Sequence, residues 1–189
     1  SGAPLHRRGH KQAVAKAPLR ETMAALFLRE MGFDAAAPVT VLDPLCGSGT
    51  IPIEAAEMAL GLPPGRSRAF GFAHLRSFDS EAFAAMKAVA PRETEARFVG
   101  SDRDAGAIAS ARTNADRAGV AAVTRFACQA LSHAEPPDGG PGLLLTNPPY
   151  GARIGDRRAL FALYGALGKI AAERFSGWRI GLVTSDAGL

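Results

Sequence analysis

The sequence predicts an α/β domain built on a parallel sheet with helices on both faces. Five short apolar runs read as strands, and helical patterns separate most of them. Parallel neighbours need crossovers, and crossover helices cover both faces of a sheet. The glycine-rich, acidic and proline-rich motifs supply a third observation, because each falls at the carboxyl end of a strand, where open sheets of this class bind ligands.

Along the chain, "PLRETMAALFLREMG" opens with a proline suited to a first helical turn and stops at Gly32. The first strand, "VTVL" (39–42), runs through a glycine-rich turn into the helix "TIPIEAAEMAL". Residues 61–78 form an insertion rich in Gly, Pro, Arg and Phe, with little periodicity. The second strand, "RFVG" (97–100), precedes the helix "DAGAIASARTNADRAG", with Asp104 expected as its N-cap and Gly119 as its stop. "VTRFAC" (123–128) and "GLLLT" (142–146) are the third and fourth strands. A helix, "RALFALYGALGKIAAERF", joins the fourth strand to the fifth, "RIGLVT" (179–184). There is no internal repeat.

The 189 residues are enough for one sizeable core, and 47% hydrophobic with 21% charged residues is an ordinary globular balance. No apolar run approaches the ~18 residues of a membrane span, and no signal peptide opens the chain, so the cytoplasm is the expected compartment. Cys46 and Cys128 stand far apart and the histidines are scattered, so neither a metal site nor a disulfide framework is readable. The net charge of +4 hides an asymmetry. Residues 1–20 hold Arg7, Arg8, Lys11, Lys16 and Arg20 and no acid, whereas the remainder is close to neutral. A basic arm on a neutral body suggests a polyanionic partner, with a solvated tail as the plainer alternative. The chain starts at Ser1 without methionine, which suggests a piece of a longer protein.

The first strand ends in "VLDPLCGSGT" (41–50), where Gly47 and Gly49 allow a tight turn and close approach to a ligand. No lysine follows Gly49, so this is not a phosphate loop, and Pro52 stands where a dinucleotide fingerprint needs glycine. Asp43 would repel a pyrophosphate but can hold an amino group. A ligand with an ammonium, a ribose and no phosphate fits better, and S-adenosylmethionine is such a ligand. The second strand runs into "GSDRD", placing Asp102 where a carboxylate can accept both ribose hydroxyls. After the third strand no acid follows at once, which leaves adenine to backbone groups near Ala130 and Leu131 or to Gln129.

"TNPPYG" (146–151) leaves a core strand, presents one asparagine and stiffens the backbone twice. The lone pair of an exocyclic amine or amide is delocalised, so it is a poor nucleophile. Two acceptors aimed at its two hydrogens, the Asn147 side-chain oxygen and the Pro148 carbonyl, would draw the nitrogen toward a tetrahedral form. Tyr150 offers a ring for stacking, and rigid positioning supplies most of the catalysis. Alone, this stretch would pass for a proline-rich turn.

"DPLCGSGT", "GSDRD" and "TNPPYG", in that order, resemble the S-adenosylmethionine-dependent amino-methyltransferases. These motifs do not choose among adenine-N6 DNA enzymes, glutamine-N5 protein enzymes and guanine-N2 RNA enzymes. The flanks "LHRRGHK", "APLRETMAA", "PPGRSRAFGF" and "NPPYGAR" look like the THUMP-bearing bacterial ribosomal RNA guanine-N2 methyltransferases of RlmL type. The resemblance implies a Rossmann-like class I fold of strand order 3-2-1-4-5 without its final strand pair, after a basic arm over residues 1–17. It implies cofactor contacts from Asp43, Cys46, Gly47, Gly49, Thr50, Asp102, Arg103 and Asn147, and catalytic roles for Asn147, Pro148 and Tyr150. Arg7, Arg8, Lys11, Pro149, Tyr150 and Arg153 would meet the RNA, ribosomal by the same resemblance, and no metal is called for. Adenine-N6 methylation of DNA or RNA is the enzymatic alternative, and a non-catalytic RNA-binding module is the alternative of another class. The apolar fifth strand lies where this fold adds two more, so the natural protein is expected to continue past Leu189 and the short form to be less stable or to self-associate through residues 179–185.

Overall fold

The computed structural model describes residues 4, 6–9, 19–149 and 157–184. Its centre is a five-stranded sheet of order β3-β2-β1-β4-β5. The strands are β1 (Thr40–Asp43), β2 (Arg97–Asp102), β3 (Thr124–Cys128), β4 (Leu143–Thr146) and β5 (Arg179–Leu182). All four pairings are parallel, with Val41 opposite both Phe98 and Leu143. All five expected strands are present, each within a few residues of the span read from the sequence.

Alternation along the central strands feeds two cores. Val41, Leu143 and Leu145 point into one, with α1 (Glu21–Glu30), α2 (Thr50–Ala59) and α4 (Ala105–Ala118) over it. Leu42 and Leu144 point into the other, against Ile170 and Phe175 at the end of α5 (Arg157–Arg174). Burial on both faces is why β1 and β4 read as continuous apolar runs rather than as alternating ones. β5 departs from this pattern: it is mostly exposed, with Ile180 and Leu182 on one face at the sheet edge.

Helix ends follow local chemistry. Asp104 caps α4 as expected, its side chain accepting from the amides of Gly106 and Ala107, and Gly119 closes the helix at φ 70°. Helix α1 starts at Glu21, later than its proline suggests, with extended Arg20 before it, and Gly32 follows in the left-handed region. One helix, α3 (Ser80–Lys87), has no counterpart among the expected elements. Its cap, Asp79 accepting from Glu81 and Ala82, is a local signal, but no residue of α3 is buried, so no apolar period marks it.

Candidate active site

The strand order reverses between β1 and β4, so the crevice outside their carboxyl ends is the ligand site of a doubly wound sheet. Both distinctive loops arrive there. Asp43, ending β1, and Thr146, ending β4, are joined directly: the Thr146 hydroxyl donates to Asp43 Oδ1 at 2.6 Å. The same oxygen accepts from the Leu45 amide at 3.1 Å, bending the chain out of the strand into the glycine loop. Burial is the main reason the Asp43 carboxyl is pushed up to about 7, with the Asp102 charge adding to it and the two hydrogen bonds opposing it. A neighbouring ammonium would therefore find a group poised to ionise near neutral pH.

The two glycines of the loop have different reasons to be glycine. Gly49, at φ 84°, is packed: a Cβ there would lie 3.0–3.1 Å from Ala111, Ile53 and Phe126. Gly47, at φ 51°, faces open space, with nothing within 4 Å of a Cβ. Gly49 thus serves packing, while Gly47 leaves a bare stretch of backbone at the crevice. Cys46 is buried beside it, and burial, with Asp43 and Asp102 nearby, pushes its thiol up. Thr50 is buried as the first residue of α2.

Asp102 holds the loop in place. Its Oδ2 accepts from the Gly47 amide at 3.0 Å, and its Oδ1 from the Asp104 amide at 3.0 Å. A carboxylate has about four acceptor sites, so each oxygen keeps one for a further donor. Arg103 beside it is exposed, and Asp104 is engaged as the cap of α4. Two more contacts fix the loop: the Cys46 amide to Ser101 O at 2.9 Å, and Asn114 Nδ2 to Ser48 O at 3.1 Å. Asn114 is fully buried, and neither it nor Thr146 was expected at the site. The signal for Asn114 was a polar residue on the apolar stripe of α4, between Ala111 and Ala118.

After β4 the chain presents Asn147. Its Oδ1 is buried and has no hydrogen-bond partner among the described residues. An orphaned buried acceptor costs about 1–3 kcal/mol, so this oxygen has the capacity to accept from an incoming donor. Pro148 is buried and Pro149 half-buried behind it. Tyr150, Arg153 and Lys11 lie outside the described residues.

The basic arm needs a correction. Arg7 is exposed, as a phosphate contact must be, but Arg8 is 9% exposed. Its guanidinium donates twice to Glu54 of α2, at 3.2 and 2.5 Å. Burial by itself would lower the Arg8 pKa, but the bond and charge of Glu54 outweigh it and the guanidinium stays charged. Arg8 is therefore an anchor rather than a phosphate ligand. A cleft of about 520 Å³ adjoins this pair, lined in part by Arg29, Glu57 and Arg92, and contains none of the strand-end residues. The strand ends carry the convergent polar groups, so the site is assigned to them.

Residues 8–189 match the RMKL-like methyltransferase domain, and the chain belongs to that family. Among curated relatives, the protein named ribosomal RNA large subunit methyltransferase K/L of Shewanella sp. (strain MR-4) is 41% identical over 98% of this chain, and that of Shewanella amazonensis is 42% identical. The chain spans 27% of the length of these relatives. Among solved structures, a predicted N6-adenine-specific DNA methylase from Listeria monocytogenes superposes with a TM-score of 0.84 at 31% identity, covering 99% of this chain and 49% of that one. SMU.472, crystallised in complex with SAH, gives 0.83 at 29% identity over 97% of this chain and 48% of its own.

Proposed function

We propose that this domain transfers a methyl group from S-adenosylmethionine to the exocyclic N2 amine of guanine in RNA, with large-subunit ribosomal RNA as the substrate. The observation that carries the reading is the buried, unpartnered Asn147 Oδ1, beside the switch point at which Asp43 and the glycine loop also lie. The residues fit the cofactor: Gly47 leaves open backbone for its approach, Asp102 keeps acceptor capacity for a ribose, and Asp43 suits an ammonium. When bound, S-adenosylmethionine supplies an electrophilic methyl group. The chain supplies orientation. Asn147 Oδ1 and the Pro148 carbonyl accept the two amine hydrogens, directing the nitrogen lone pair away from the base plane. The proton is lost to water once the nitrogen has become cationic, so no general base is required.

The names of the Shewanella relatives support ribosomal RNA as the substrate, and the flanking segments that resemble guanine-N2 enzymes support the position. The Listeria neighbour's name supports a second reading, adenine-N6 methylation, because the same two acceptors would serve that amine. Mass spectrometry of ribosomal RNA nucleosides, from cells with and without the gene, separates the two. Gene-dependent N2-methylguanosine is expected. Gene-dependent N6-methyladenosine in its place would transfer the assignment to the second reading.

A further inference from the structure

We propose that the insertion and α3, braced by the N-terminal segment, form an RNA-docking surface, in which exposed apolar side chains receive unstacked bases and flanking cations receive phosphates. The inference rests on the reading above that the substrate is RNA, and it assigns a role to a segment that reading leaves unused.

The first observation is a pair of anchors. Glu54 and Glu57 lie one turn apart on α2, and both are buried. Each binds an arginine from outside the sheet: Arg8 from the N-terminal segment, and Arg66 from the insertion. Arg66 also donates to the Ala118 carbonyl at the end of α4. Both appendages are thus held to the helix that starts at the glycine loop. They also touch each other, since Arg68 donates to the carbonyls of Pro4 and Arg7 at 3.1 and 3.4 Å. Gly9 sits so close that a Cβ would fall 2.6 Å from the Ser67 carbonyl oxygen.

The second observation is a small aromatic cluster separate from the cores. Phe70, Phe72, Phe78 and Phe83 pack ring against ring at 5.1–5.8 Å, and none belongs to either core cluster. The cluster belongs to neither core, and the segment that carries it leaves Phe72 42%, Leu75 60% and Met86 71% exposed. Apolar groups gathered in this way mark a binding surface. Cations define what binds. The Arg68 guanidinium lies 4.7 Å from the Phe70 ring centre, Lys87 Nζ lies 5.0 Å from that of Phe83, and Arg76 is exposed beside Leu75. Arg66 is held by Glu57 and Arg68 by the N-terminal carbonyls, which leaves Arg76 and Lys87 to face a phosphate. A partner that is both polyanionic and rich in flat π-faces is a single strand of nucleic acid.

The test uses the full chain and a fluorescein-labelled, mixed-sequence single-stranded RNA. Arg76→Ala with Lys87→Ala keeps every ring and should weaken binding, with a salt slope shallower by about 0.7 per lost phosphate contact. Phe72→Ala should weaken binding by about tenfold or more while leaving the slope unchanged. Calorimetric affinity for S-adenosylmethionine should be unchanged in both variants. Wild-type RNA affinity in both, measured beside a wild-type chain that binds RNA, would overturn the proposal. So would dimers in sedimentation that dissolve with Phe72→Ala, which would give the patch to a second copy of the chain. A wild-type chain that binds S-adenosylmethionine but no RNA would remove the substrate reading itself.

Discussion

Removing the Arg8 guanidinium tests whether the arm is an anchor or a tail. Arg8→Met keeps much of the side chain's length and leaves Glu54 buried without its cation. The Arg8 and Glu54 side chains are 10% and 4% exposed, so the pair is largely withdrawn from solvent. Breaking a buried pair from one side costs about 3–5 kcal/mol, far above the ~1 kcal/mol ceiling of a surface pair. The cost should depend on pH. Burial already raises the Glu54 pKa despite Arg8, and losing Arg8 removes both the bond and the charge that hold it down. Below the unfolded value of about 4.3 the carboxyl is protonated in both states, and the penalty vanishes. Above it the folded chain holds a proton that the unfolded chain has lost, so stability falls by up to about 1.4 kcal/mol per pH unit, until the folded group ionises too. Urea denaturation at about pH 5 and about pH 8 should show a small deficit at the lower value and most of the cost at the higher. Adding Glu54→Gln to Arg8→Met should recover much of the loss at high pH. A deficit below about 1 kcal/mol at both pH values would refute the anchor and return Arg8 to solvent.

Three other outcomes follow from the site and a fourth from the sheet edge. Asp102→Ala should weaken S-adenosylmethionine binding by about 1–3 kcal/mol in calorimetry, because it frees the Gly47 amide as well as deleting the acceptor. Asn147→Ala should leave that affinity nearly intact and lower turnover by about 100-fold or more, and poor cofactor binding with normal turnover would remove its assigned role. Since the Asp43 carboxyl sits at about 7, affinity for the cofactor's ammonium should rise with pH from about 6 toward 7.5, and Asp43→Asn should flatten the profile. Ile180→Lys with Leu182→Lys, on the exposed edge strand, should lower light scattering at high protein concentration if that edge recruits other chains.

The fold was legible because its signals are local. The apolar runs of β1 and β4, the Asp104 cap and the Gly119 stop are each set by residues a few positions apart, and period and cap chemistry act at that range. "DPLCGSGT" and "TNPPYG" were legible for the same reason, since backbone freedom at Gly47 and rigidity at Pro148 and Pro149 are properties of the residues themselves. What the sequence could not show was which distant groups meet. Thr146 reaches Asp43 across 103 positions, Asn114 reaches Ser48 across 66 and Arg8 reaches Glu54 across 46. A run of cations looks the same whether it is solvated or inserted beside a carboxylate, because only a partner brought in by the fold can offset the desolvation of a buried charge. The insertion divides along the same line: its composition stood out in the sequence, but the anchors of Arg66 and of the neighbouring Arg8 exist only once α2 places two buried carboxylates beside them.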